Sequence, residues 1–314
     1  MGKITFILGA LTRGVFRGLQ PLPRARWSRR SAVIVHILRD LTTQLMAESG
    51  PVQQMLSAGP TAGPPSDLDF EERPLAGMRA IWLTPKARSG KTFLHLHGGG
   101  YVIGRPEEAM HFIGRMAHKS GAQMVSVEYR LAPQHPYPAA VDDALAAVRA
   151  LLDGGVAPED LFIGGDSAGG GLALATLLRL RDEGGPTLRG GILGSPWLQL
   201  NMTQPSVETN AHTDYLPIGI DKVWGAMYTG STPMSDPGPS PGNAELAGLP
   251  PLLVMAGDAE MLVDQIRTGV AKASAAGVEV EFIVGDDAVH CWYMQPRLLP
   301  GPNVDDQIVA FLRR

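Results

Sequence analysis

The chain of 314 residues carries a single cysteine, Cys291. One thiol excludes an intrachain disulfide and a zinc site built from several thiolates, so packing alone must hold the fold. Charge is also sparse: Asp, Glu, Lys and Arg make up 18% of the residues, and the formal net charge is −4. Phosphate binding needs a concentrated basic face, so nucleic acid is excluded as a partner. No apolar run approaches the roughly 18–20 residues that cross a bilayer. The longest near the N-terminus, residues 4–10, is soon interrupted by Arg13 and Arg17, and the chain reads as soluble and cytoplasmic. There is no internal repeat. With 44% hydrophobic residues a chain of this length can bury a large core, in one main domain with a small appendage.

Acidic residues are missing from the N-terminus altogether: Lys3, Arg13, Arg17, Arg24, Arg26, Arg29 and Arg30 precede the first of them, Asp40. An acid-poor, arginine-rich start fits an organelle transit peptide, a membrane-surface helix or the solvated side of a helical cap. The cap reading is preferred over membrane contact. Val33, Ile34, Ile37, Leu38, Leu41 and Leu45 repeat with helical period beyond any plausible targeting segment.

A Pro/Gly linker, GPTAGPPS at 59–66, separates this helical segment (1–66) from the rest (67–314). From there short β-type runs at 78–83, 91–96, 123–128, 161–164, 191–194, 252–256 and 278–284 alternate with helical patterns at 111–119, 139–152, 170–182, 261–276 and 304–313. That alternation predicts an α/β fold, a mostly parallel sheet with helices on both faces. Residues 196–251 break the rhythm, being rich in Pro, Gly, Ser, Asn and Thr with a helical piece only near 220–228. They read as an insertion forming a lid with the N-terminal helices.

What is abundant is glycine, and two clusters of it carry chemistry. GGDSAGGG at 164–171 places Ser167 in a GxSxG pentapeptide between an apolar strand run and a helix. A hydroxyl on so sharp a strand-to-helix turn is presented as a nucleophile, and the flanking glycines leave room for strand and helix to pass. GxSxG alone is weak, but His97-Gly98-Gly99-Gly100 follows a second strand run. Neither cluster has the GxxxxGK[ST] or GxGxxG spacing of a phosphate cradle.

A serine hydroxyl needs a base, and the base needs an acid to fix its tautomer. In the α/β-hydrolase order both follow the serine. Only His212 and His290 lie beyond Ser167. His212 falls inside the irregular insertion, whereas His290 follows the last β-run, so His290 is the candidate base. Asp258, Glu260 and Asp264 all follow the run at 252–256; Asp264 falls within the next helix, which leaves Asp258 and Glu260 as candidate acids. The backbone amide of Ala168 and those of the glycine cluster are candidate oxyanion donors.

HGGGYVIG at 97–104, EYRLAP at 128–133, HPYPAAVDDA at 135–144 and GDSAGG at 165–170 together resemble the hormone-sensitive-lipase family of α/β-hydrolase carboxylesterases. The resemblance covers about residues 78–314. It implies an α/β-hydrolase fold with a small helical cap, and oxyanion donors at Gly99, Gly100 and Ala168. Registering Glu260-Met261-Leu262-Val263-Asp264 on the family's DPLxD sequence implies Glu260 as the acid, glutamate replacing the commoner aspartate. It further implies a serine esterase acting on a small-molecule ester of short or medium acyl length, or a lactone, through an acyl-enzyme, with no cofactor and no metal. A non-catalytic hormone-receptor-like binding protein and an amide hydrolase are the alternatives. A homodimer is compatible with the reading. Trp27, Met55, Trp197, Tyr215, Trp224 and Met227 are pocket candidates; His97, His95, Asp166, Tyr129, Arg130, Asp142 and Asp143 read as internal supports.

Overall fold

The computed structural model describes residues 9, 11–14, 17, 21–24, 27–47 and 66–314. The linker expected at 59–66 therefore lies outside the described residues except for Ser66. Helix α1 (Arg29–Ala47) precedes a sheet whose elements run β1 (Leu68–Glu72), β2 (Ala80–Pro85), β3 (Thr92–Leu96), α2 (Met110–Ser120), β4 (Gln123–Val127), α3 (Ala139–Asp153), β5 (Leu161–Asp166), α4 (Ala168–Asp182) and β6 (Gly190–Gly194). The short helices α5 (Pro205–Thr209) and α6 (Ala226–Thr229) follow, then β7 (Leu252–Gly257), α7 (Val263–Ala275), β8 (Val280–Gly285) and α8 (Asp305–Leu312).

The eight strands are ordered β1-β2-β4-β3-β5-β6-β7-β8. β1 pairs antiparallel with β2 and β2 with β4, and every other pairing is parallel. The interior strands β3, β5, β6 and β7 are buried at every residue, as continuous apolar runs must be when helices cover both faces. One face packs α3, α4 and α7, the other α2 and α8, and α1 contributes residues to both cores. Helix α4 is apolar nearly all round, so it suits only a site enclosed on every side. It is wedged between the sheet and α3.

Two elements depart from the sequence reading. β1 has no counterpart among the predicted runs, because its sequence LDFEE buries only Leu68; an edge strand carrying glutamates has no periodic apolar face to announce it. Between β6 and β7, α5 adds a second helical piece to the one expected near 220–228. That latter piece is a π-helical turn, Asp221–Gly225, running into α6.

Three of the N-terminal cations, Arg13, Arg17 and Arg24, are paired among the described residues. Asp40 of α1 accepts from Arg13 Nε at 2.8 Å and Arg17 Nη1 at 2.5 Å. Arg24 lies 3.6 Å from both Asp258 and Asp287. Helix α1 is tied to the β6–β7 segment, where Arg39 Nε donates to the Asp214 carbonyl at 2.7 Å and Thr42 Oγ1 to that of Tyr215 at 2.8 Å. Among the described residues, no helix is long and apolar enough to cross a membrane.

Candidate active site

β5 ends at Asp166, α4 begins at Ala168, and Ser167 between them has φ 56° and ψ −121°. A non-glycine residue held there stores about 1–3 kcal/mol of strain. The surroundings enforce it: the Ser167 amide donates to the Gly194 carbonyl, while the Ser167 carbonyl accepts from the amides of Gly171 and Trp197. A methyl on Gly169 would lie 2.0 Å from the Leu96 carbonyl oxygen, so the helix passes β3 this closely only without a side chain. Serine at a helix N-cap ordinarily accepts from the first turn. Ser167 does not, and its half-buried hydroxyl is not consumed by the helix.

The HGGG segment leaves β3 beside this turn. Gly99 and Gly100 have φ of 106° and 61°; a methyl on Gly100 would lie 2.3 Å from Cε3 of Trp224. His97 shapes the loop from within. Its Nδ1 bonds the Gly98 carbonyl at 2.8 Å, its ring stacks on Tyr129 at 4.2 Å, and the Tyr129 hydroxyl donates to the His97 carbonyl at 2.7 Å. Burial depresses His97 to about 4, so it is neutral at physiological pH. His95 is more than a packed strand residue: it bridges Ser126 at 3.3 Å and Asp166 at 3.0 Å, anchoring the residue that precedes Ser167. Arg130 is held by Asp143 through paired bonds of 2.7–3.0 Å. Asp142 lies at the surface, 3.7 Å from Arg179.

Beyond β8, His290 and Glu260 meet. His290 Nδ1 lies 3.3 Å from Glu260 Oε2, with the imidazole 2% and the carboxylate 0% exposed. Asp258, two residues earlier, faces Arg24 instead, and Asp264 caps α5 by accepting from the Ser206 amide at 2.9 Å. His290 Nε2 is buried without a partner. Burial pushes Glu260 up, opposed by its bond to His290. Burial would depress His290, yet Cys291 and Glu260 carry it well above the ordinary imidazole value. Because burial also raises Cys291, that thiol stays protonated near neutrality, and the upward push that persists there is the Glu260 carboxylate's.

A residue absent from the sequence reading joins these parts. Ser195, fully buried at φ 43°, accepts from the Cys291 amide at 3.0 Å and turns toward Glu260. It fastens the end of β6 to the loop carrying His290. The available signal was its place at the carboxyl end of a parallel strand, where such sheets build their sites.

A cleft of about 350 Å³ opens beside these groups, and its lining includes Gly98, Gly99, Asp166, Tyr215, Cys291 and Leu38. The neighbours of Ser167 and of His290 thus share one cavity. Of the pocket candidates, Tyr215 lines this cleft with its ring 5.6 Å from that of His290, and Trp224 abuts Gly100. Trp197 is buried beside Tyr101, and Met227 packs on the core. Trp27 is a core residue donating to the Asp287 carbonyl. Met55 lies outside the described residues.

The family model for the alpha/beta hydrolase fold matches residues 93–294. The chain belongs to the α/β-hydrolase family. Within it, the neighbours are of the hormone-sensitive-lipase type: an esterase from the bacterial hormone-sensitive lipase family, 32% identical, superposes with a TM-score of 0.76 over 100% of this chain and 97% of its own. The acetyl-hydrolase of Streptomyces hygroscopicus is 37% identical over 236 residues, 74% of this chain and 79% of that one. Esterase LipI of Mycobacterium tuberculosis is 35% identical over 263 residues, 81% and 78% of the two chains. This α/β-hydrolase is a carboxylic ester hydrolase acting on a small-molecule ester.

Proposed function

We propose that this chain is a serine carboxylesterase that hydrolyses short- to medium-chain esters through an acyl-enzyme. The observation that carries the reading is the split of His290: one ring nitrogen is engaged by a buried carboxylate and the other is buried and unengaged, beside the cleft that reaches Ser167's neighbour. With Nδ1–H donating to Glu260, Nε2 is the basic nitrogen that takes the Ser167 proton. Ser167 Oγ attacks the ester carbonyl, and the amides of Gly99, Gly100 and Ala168 receive the oxyanion. Each such donor is worth about 3 kcal/mol of barrier, and the amino end of α4 adds a favourable dipole. His290 then protonates the leaving alkoxide, and a water activated by the same nitrogen releases the acyl group and restores Ser167. α1 and the 196–251 segment act as the lid. No step calls on a cofactor.

A nitrophenyl ester series tests the substrate range. The expected kcat/KM peaks at short or medium acyl chains and falls for long ones; activity confined to long chains contradicts the reading.

A further inference from the structure

The two sides of the oxyanion loop are built differently, and the chemistry of the acyl transfer says which part of an ester each side receives. His290 Nε2 must hand its proton to the departing alkoxide, so the alcohol lies on the imidazole's side. That side is open: the 350 Å³ cleft takes Cys291, Met294, Gln295 and Leu299 from the segment after His290, faced by Tyr215 and Leu38. Its volume is that of a small-molecule pocket, about 300–1,000 Å³, and its walls are mostly apolar. With the attacking oxygen, the oxyanion and the alkoxide each assigned a direction at the tetrahedral carbon, the acyl chain takes the fourth, away from the imidazole.

At Gly100 the loop meets a wall. The Trp224 ring, 3% exposed, lies against Gly100. One turn on, Tyr228 stacks on Tyr101 at 3.7 Å with the rings 5° from parallel, and Tyr137 meets Tyr228 edge-on. Trp224 projects from the π-helical turn Asp221–Gly225, a local widening of the helix that often marks functional sites. A buried ring packed directly on the backbone of Gly100 does not retreat for a longer chain.

We propose that the enzyme selects esters that join an acetyl-sized acyl group to a bulky, largely apolar alcohol, the cleft holding the alcohol and Trp224 limiting the acyl chain. The proposal rests on the serine reading given above. Two isomeric substrates test it: naphthylmethyl acetate and methyl naphthylacetate place the same ring on opposite sides of one ester bond, with alkyl leaving groups in both. The expected wild-type preference for naphthylmethyl acetate is at least about tenfold in kcat/KM, the discrimination a misfitting apolar group incurs. Trp224→Ala, or Trp224→Leu should the smaller residue unfold the lid, is expected to narrow that preference by raising kcat/KM for methyl naphthylacetate. Leu299→Trp fills the cleft and is expected to raise KM for naphthylmethyl acetate more than for ethyl acetate. Equal or reversed preference in the wild type overturns the proposal, as does hydrolysis of ethyl acetate with neither naphthyl ester accepted. Turnover that survives Ser167→Ala overturns the serine reading and this proposal with it; loss of turnover in that variant with a reversed preference overturns this proposal alone.

Discussion

Replacing Ser167 by alanine is expected to lower kcat by about 10⁶-fold while the protein stays folded. Losing a triad nucleophile costs about that much, since the remaining groups act only through it. What survives is the contribution of preorganised amides and substrate binding, about 10³–10⁴ over water. Alanine fits the position without new contacts, and because the hydroxyl does not cap α4, the helix loses no hydrogen bond. Steady-state kinetics, read beside an unchanged circular dichroism spectrum, checks both halves. A variant keeping a tenth of the wild-type kcat contradicts the assignment.

Glu260→Gln is expected to lower kcat by about 10⁴-fold, the cost of losing the carboxylate that fixes the imidazole's tautomer and stabilises the imidazolium. Its pH dependence gives a second signature. The base must be neutral to accept a proton, so activity falls as pH drops through the pKa of His290. Glu260 raises that pKa against the lowering by burial. Removing its negative charge therefore moves the acid limb of the wild-type profile to lower pH. Asp258→Asn, whose carboxylate faces Arg24, is expected to leave kcat within about tenfold, as a surface-facing pair does. A larger loss in Asp258→Asn than in Glu260→Gln, or an acid limb that moves upward in Glu260→Gln, reverses the acid assignment.

The turn that carries the proposed nucleophile was legible in the sequence because it obeys a local rule. Strand, glycine-flanked serine and helix must be consecutive, so five residues specify the geometry of Ser167. The interior strands were legible for a similar reason, since burial on both faces demands unbroken apolar runs. Which carboxylate meets His290 was not legible from position alone. Asp258, Glu260 and Asp264 sit in one short stretch, and the turn after β7 sends their side chains three ways, toward Arg24, toward His290 and onto the start of α5. Contacts between distant segments left no local pattern either. Nothing in α1 announces that Leu38 lines the cleft, nor does residue type alone announce that Ser195 holds the loop of His290. The basic N-terminus is ambiguous in sequence because its partners, Asp40, Asp258 and Asp287, include residues more than two hundred positions away.

Active-site labelling with a fluorophosphonate, followed by peptide mapping of the adduct, tests the central claim that the Ser167 hydroxyl is activated by His290. One phosphonyl group per chain on Ser167 in the wild type, with labelling slowed by several orders of magnitude in His290→Ala, is the predicted result. An adduct on another residue, no adduct at all, or labelling of Ser167 at the wild-type rate in His290→Ala contradicts it.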